Sequence, residues 1–161
     1  MSILKSTTQV LSAAAFASFA LQASAQAPSY GPSVTTATAK KIAAGVIAEC
    51  QSNKWNIAVA VVDTAGGLVY YERMEDTQTA SFGIAIDKAS ASAKYRRPTR
   101  AFVDAIAKGG AAMGIMTLPG VVGSPGGVPI VVGGKIIGAV GVSGVTGDQD
   151  EQCAKAGVGA M

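Results

Sequence analysis

Residues 126–144 read GGVPIVVGGKIIGAVGVSG, and the architecture follows from this stretch outward. Two apolar runs, 129–132 and 135–144, flank Gly133 and Gly134. A two-residue Gly-Gly loop accepts the positive φ values of a type I′ turn, so the stretch predicts a β-hairpin. That turn sets Val132 opposite Lys135, Val131 opposite Ile136 and Ile130 opposite Ile137. Along the second strand Ile136, Gly138, Val140 and Val142 share one face, and Ile137, Ala139, Gly141 and Ser143 share the other. The first face is bulky and the second nearly bare. A bare strand face admits a closely packed helix, a neighbouring subunit or a flat ligand.

A second hairpin is read upstream. In the strand over 56–63, Ile57, Val59 and Val61 point one way and Ala58, Ala60 and Val62 the other. DTAGG at 63–67 closes it, with Asp63 accepting a local backbone hydrogen bond, and 68–73 is the partner strand. Both faces of the first strand are apolar, so helices should cover an antiparallel sheet on both sides. Thr36 or Thr38 caps a first helix to about residue 53, with Ile42, Ala43, Val46, Ile47 and Cys50 as its stripe. Thr77 or Thr79 opens a second helix, rich in alanine and serine, that Pro98 stops. Thr99 caps a third through residue 107, ended by Gly109 and Gly110. A helical turn over 111–118 and a glycine-proline loop over 119–127, with a short strand at Val121 and Val122, lead into the central hairpin. Thr146 or Asp148 caps the last helix; with Asp148 as the cap, Glu151 stands at the third position of a capping box.

The first residues read as a processing segment. Lys5 is followed by an apolar, small-residue run and by Ala23-Ser24-Ala25, a small-x-small cleavage signal before Gln26. The domains are then a signal peptide over 1–25, a flexible lead-in over 26–35 and one domain over 36–161. The expected location is secreted or periplasmic, with no membrane span. Removing the segment takes only Lys5 from the +3 of the whole chain, leaving +2, a balance that implies no nucleic acid partner. The chain has no histidine, the commonest metal ligand and neutral-pH base.

Three runs carry a family resemblance. VAVVDTAGGLVYYERME at 59–75, SFGIAIDKASASAKYRRPT at 81–99 and GGVPIVVGGKIIGAVGVSGVTGDQDEQCAKAG at 126–157 resemble successive parts of the GlcG/HbpS-like proteins, the haem-degrading or DUF336 family. The likeness runs over nearly the whole chain from about residue 36. It implies an α+β fold, profilin-like in outline, with a five-stranded antiparallel sheet and helices on both faces. It also implies a homo-oligomer, here expected to hold four to eight chains, and haem as a cofactor. The missing histidine departs from that pattern, because no imidazole is present to ligate iron.

The candidate ligand-binding residues are Lys88, Arg73, Glu75, Arg96, Arg97, Gly126 and Gly127. Lys88, on a helix of small residues, is suited to a carboxylate or propionate, to an acid at a subunit interface, or to solvent. Arg73 and Glu75 follow a strand and either line a pocket at the sheet edge or lie on the surface. Arg96 and Arg97 cluster with Arg100 at the Pro98 bend and offer donor forks to an anion, or form a solvated corner. The Gly126-Gly127 amides form an anion nest without the lysine of a nucleotide loop. Apart from the cysteines, Met74, Met113, Met116, Tyr70, Tyr71 and Tyr95 are the soft or phenolic candidates for contact with haem iron, although methionine at such positions is usually core filler. Ser143 lacks a histidine base, so a serine triad fails. Asp148, Asp150 and Glu151 lack the spacing of a calcium loop, so no metal site is assigned.

Cys50 lies near the end of the first helix and Cys153 near the start of the last. If those helices pack antiparallel on one face, an exported chain can join the two in a disulfide; the alternatives are two buried thiols or an intermolecular pair. The functional reading is an exported small-ligand-binding protein, for haem or another flat anionic cofactor or metabolite. The alternatives are an enzyme acting on a small organic acid, with Lys88, Arg73 or Glu75 in its site, and a non-catalytic accessory protein.

Overall fold

A computed structural model describes residues 26–161; the leader expected over 1–25, with its cleavage before Gln26, lies outside the described residues. Gly133 and Gly134 both take positive φ, 56° and 74°, which only glycine adopts without strain, and they turn β3 (Gly127–Val132) into β4 (Lys135–Ser143). Val132 pairs with Lys135 and Val131 with Ile136, but Ile130 pairs with Gly138 rather than with Ile137. Ile137 is the extra residue of a β-bulge, which turns it to the side of Val140 and Val142. Gly138 permits the approach there: a Cβ would strike the Val62 carbonyl oxygen.

β1 (Ala58–Val62) pairs with β4 and with β2 (Leu68–Arg73), all antiparallel, giving the order β2-β1-β4-β3. Asp63 closes the first hairpin as an Asx turn, its Oδ1 accepting from the amides of Ala65 at 2.9 Å and Gly67 at 2.8 Å. Among the described residues the sheet has four strands, not five, because Val121 and Val122 form none. Proline and glycine on either side leave that pair no regular partner. The lead-in is not free either. Tyr30 makes a single parallel bridge to Ile136, and the amides of Gly31 and Val34 donate to the carbonyls of Ile136 and Ile137.

Helices cover both faces. α1 (Thr36–Ser52), capped by the Thr35 hydroxyl, and α4 (Gly147–Gly159) bury Ile42, Val46 and Ala154 against Ile57, Val59, Val61, Val140 and Val142. α2 (Ser81–Tyr95) sets Ala85, Ala89 and Ala93 on Ala58, Ala60, Val62 and Ala139. Thus the bare strand face is covered by a helix, not by a ligand. A Cβ on Gly141 would collide with the Ala85 carbonyl oxygen, so glycine here sets how closely α2 approaches the sheet. α3 (Arg100–Ala107) and a 3₁₀ helix (Gly110–Thr117) follow, and the 3₁₀ helix has no buried residue. The capping box of α4 uses Thr146 with Gln149; Asp148 and Glu151 are engaged elsewhere.

Candidate functional site

The structure divides the seven candidate binding residues among three places. The first lies inside the fold. Lys88 is 1% exposed, and its Nζ donates to Asp150 Oδ2 at 2.8 Å and to the Val142 carbonyl at 3.0 Å. Its location on the α2 face that meets β4 follows from the alanines on either side, which bring the helix close enough for the ammonium to reach the far end of the strand. The geometry therefore corrects the expectation of a ligand-facing lysine: its charge is met within the chain.

Gly126 and Gly127 belong to the same cluster and hold no open nest. The Gly126 carbonyl accepts from the Val142 amide, and the Gly127 amide donates to the Thr99 hydroxyl at 3.0 Å. Their lack of side chains makes room for Lys88: a Cβ on Gly126 would stand 3.0 Å from Lys88 Nζ, and one on Gly127 would overlap the Lys88 carbonyl. Asp150 also accepts from the Val145 amide at 3.2 Å. Burial raises its pKa, more than the opposing Lys88 and the Val145 and Gly144 amides lower it. The linear spacing gave no signal for this partner, 62 residues from Lys88.

Arg73 and Glu75 do meet, in an open cleft of about 480 Å³ at the end of β2, lined also by Glu72, Asp76, Ile47 and Met74. The cleft carries three carboxylates and one guanidinium. Glu72 accepts from the Tyr70 hydroxyl at 2.7 Å, which raises the phenol's pKa. This surplus of negative charge opposes a small organic anion there.

Arg96 and Arg97 form the third place, at the end of α2. Arg96, in the left-handed conformation with φ 54°, lies over the Tyr30 ring at 5.6 Å. Arg97 is exposed and donates through Nε to the Tyr95 carbonyl at 3.1 Å. Arg100 leaves this group: it pairs with Asp148 and with Glu151 at 2.6 Å. Burial pushes Glu151 up, but hydrogen bonds from Lys155 and Arg100 outweigh it and hold the carboxyl below its ordinary value.

Tyr95, whose carbonyl accepts from Arg97 Nε, reaches with its side chain to the segment after the helical turn expected over 111–118. The Tyr95 hydroxyl donates at 2.7 Å to the carbonyl of Pro119, just past the 3₁₀ helix. That helix and its exit expose Met113, Met116 and Leu118, by 41%, 59% and 44%. No charged side chain occurs from Gly109 to Gly134. The candidate site is this apolar flap, an exposed surface suited to a flat apolar ligand. Ser143, by contrast, is buried against the Ser81 hydroxyl at 3.1 Å and holds no nucleophilic position.

Comparison with known proteins agrees with the likeness read from the three sequence runs. Residues 34–159 match the family model described as haem degrading protein HbpS-like. Protein GlcG of Escherichia coli K12 is 39% identical over 108 residues, covering 65% of this chain and 79% of GlcG. The 15.0 kDa protein of the dhaT-dhaS intergenic region of Citrobacter freundii is 35% identical over 124 residues, covering 76% and 87%. The crystal structure of HbpS superposes with a TM-score of 0.75 at 27% identity, covering 83% of this chain and 93% of that one.

Proposed function

Because this chain belongs to the HbpS-like family, we propose that it is a haem-binding protein whose apolar flap at 110–118 receives the macrocycle and whose Arg97 meets a propionate. One observation carries the reading: an uncharged segment exposes Met113, Met116 and Leu118 to solvent. The residues fit the group at both ends. The porphyrin face is apolar, and a propionate suits a donor fork. Haem would supply a redox-active iron; the chain's part is to bind and orient it. An enzyme for a small organic acid finds less support, since Lys88 is buried and the Arg73 cleft is acidic.

Titration of ferric haem into the purified protein tests this. A saturable spectral change is expected, without the low-spin signature of histidine ligation, since the chain has no histidine. Arg97→Ala should weaken binding by about 1.5-fold to 5-fold, the range of an exposed charge pair. No saturable change in the wild type would overturn the proposal.

The proposal extends to export, with cleavage before Gln26, and to a homo-oligomer of four to eight chains. Ala23-Ser24-Ala25 supports the first, and the exposed flap, a surface that copies can share, supports the second. Intact mass and light scattering on exported protein read both. A retained Met1 would refute the cleavage, and a monomeric mass at micromolar concentration would refute the assembly.

A further inference from the structure

We propose that residues 100–125 open and close as one unit on a fixed base, with Arg100 as the latch that holds the unit against α4. The base is reciprocal: the Thr99 amide donates to the Gly127 carbonyl at 3.0 Å, and the Gly127 amide donates to the Thr99 hydroxyl at 3.0 Å. Beside it the Gly126 carbonyl accepts from the Val142 amide of β4 at 3.0 Å. The chain thus leaves the body and re-enters it at one buried point, and what lies between can move without breaking the sheet. Within the unit Phe102 alone is buried, although α3 and the 3₁₀ helix both belong to it. The unit also packs on itself, since a Cβ on Gly123 would stand 3.1 Å from the Ile106 side chain of α3. A segment that buries so little apolar surface opens at a lower free energy than the core beside it.

Phe102, Tyr95 and Arg100 hold it closed. The Phe102 ring meets that of Tyr95 edge-on, with centroids 5.4 Å apart, and the Tyr95 hydroxyl holds the Pro119 carbonyl at 2.7 Å. The ionic contact is the strongest of these, because charge assists its hydrogen bonds. Arg100 donates to Glu151 Oε2 through Nε at 2.8 Å and through a terminal nitrogen at 2.6 Å, and that nitrogen also reaches Asp148. Glu151 is 6% exposed and is held by Lys155 at 3.0 Å, so the acceptor keeps its place when the unit moves. Arg100 is the first residue of α3 and stands next to the base, where one side chain restrains the whole excursion. Opening adds Phe102 to the apolar surface that Met113, Met116 and Leu118 already present. The device needs no ligand, so it stands whether or not the protein binds haem.

Native-state hydrogen exchange, read by NMR on the whole protein without haem, tests this. The amides of α3 and those of Leu118 and Val121, which donate to Ile115 and Leu118, should exchange through one shared opening that depends weakly on denaturant. Those of β1 and β4 should need the large, denaturant-dependent opening of global unfolding. The Thr99 and Gly127 amides mark the base and should stay protected with the sheet. Arg100→Gln should speed exchange across the unit by about fivefold to thirtyfold, between the range of an exposed ion pair and that of a buried charge-assisted hydrogen bond. Added salt should act in the same direction on the wild type. Lys40→Gln, which removes an exposed charge from α1, should leave the unit's exchange unchanged. Amides of α3 that exchange only with β1, or separately from Leu118 and Val121, would overturn the single unit. Thr99 and Gly127 amides that exchange with α3 would overturn the fixed base, and an unchanged rate in Arg100→Gln would overturn the latch.

Discussion

Lys88→Met should lower the unfolding free energy by about 3–5 kcal/mol, read as a shift of the midpoint in chemical denaturation. The ammonium is buried and holds Asp150 at 2.8 Å and the Val142 carbonyl at 3.0 Å. Methionine fills the same channel, so little of the loss comes from a cavity. It comes from a carboxylate left in the interior with backbone amides for support and no countercharge. Asp150→Leu strands the opposite charge and should cost a similar amount. The double variant Lys88→Met/Asp150→Leu should recover most of the loss, because the desolvation penalty of both ions disappears with them. Single losses below about 1 kcal/mol that simply add would show that the pair is not coupled in this way. The same variant separates stability from ligand binding. Lys88 has no exposed donor, so Lys88→Met, assayed where it is still folded, should bind haem as the wild type does.

The correction at Lys88 shows which part of this protein its linear pattern carries. The Gly-Gly turn, the alternation of 57–62 and the Asx turn at Asp63 are local, and each is found where the pattern put it. Errors enter where a remote neighbour decides. Counting back from the turn placed Ile130 opposite Ile137, but Gly138, pressed against Val62 of β1, takes that pairing and leaves Ile137 as a bulge. Val121 and Val122 have strand-forming side chains without a strand to pair with. Small residues on β4 signalled that something comes close, and only the tertiary fold shows that it is α2. Lysine in a row of alanines likewise signalled an unusual position without naming Asp150. The flap is the reverse case. Its methionines read as core filler, yet the structure leaves Met113, Met116 and Leu118 in solvent, and a functional assignment starts from that mismatch.

Replacing both Cys50 and Cys153 by alanine should lower stability by about 2–5 kcal/mol, toward the upper end because the closed loop is long. The cysteines are 103 residues apart in sequence, with Cα atoms 5.7 Å apart, so the bond removes a large set of open conformations from the unfolded chain. It joins α1 and α4, the two helices that roof one face of the sheet. Those helices are already in close contact: Gly157 sits under Val46 and the Ile42 carbonyl, where any side chain would collide. Packing thus holds the native contact even without sulfur, and the cross-link acts mainly on the unfolded ensemble. Two consequences can be measured. The double variant should fold to the same secondary structure, with a denaturation midpoint shifted by the stated amount. The native disulfide, with both cysteines fully buried, should be reduced slowly by added thiol, at a rate that rises with denaturant as the α1–α4 roof opens. Fast reduction of the undenatured protein, at a rate independent of denaturant, would contradict this burial. An unchanged midpoint in the double variant would mean that the unfolded chain is compact enough for the cross-link to restrict little.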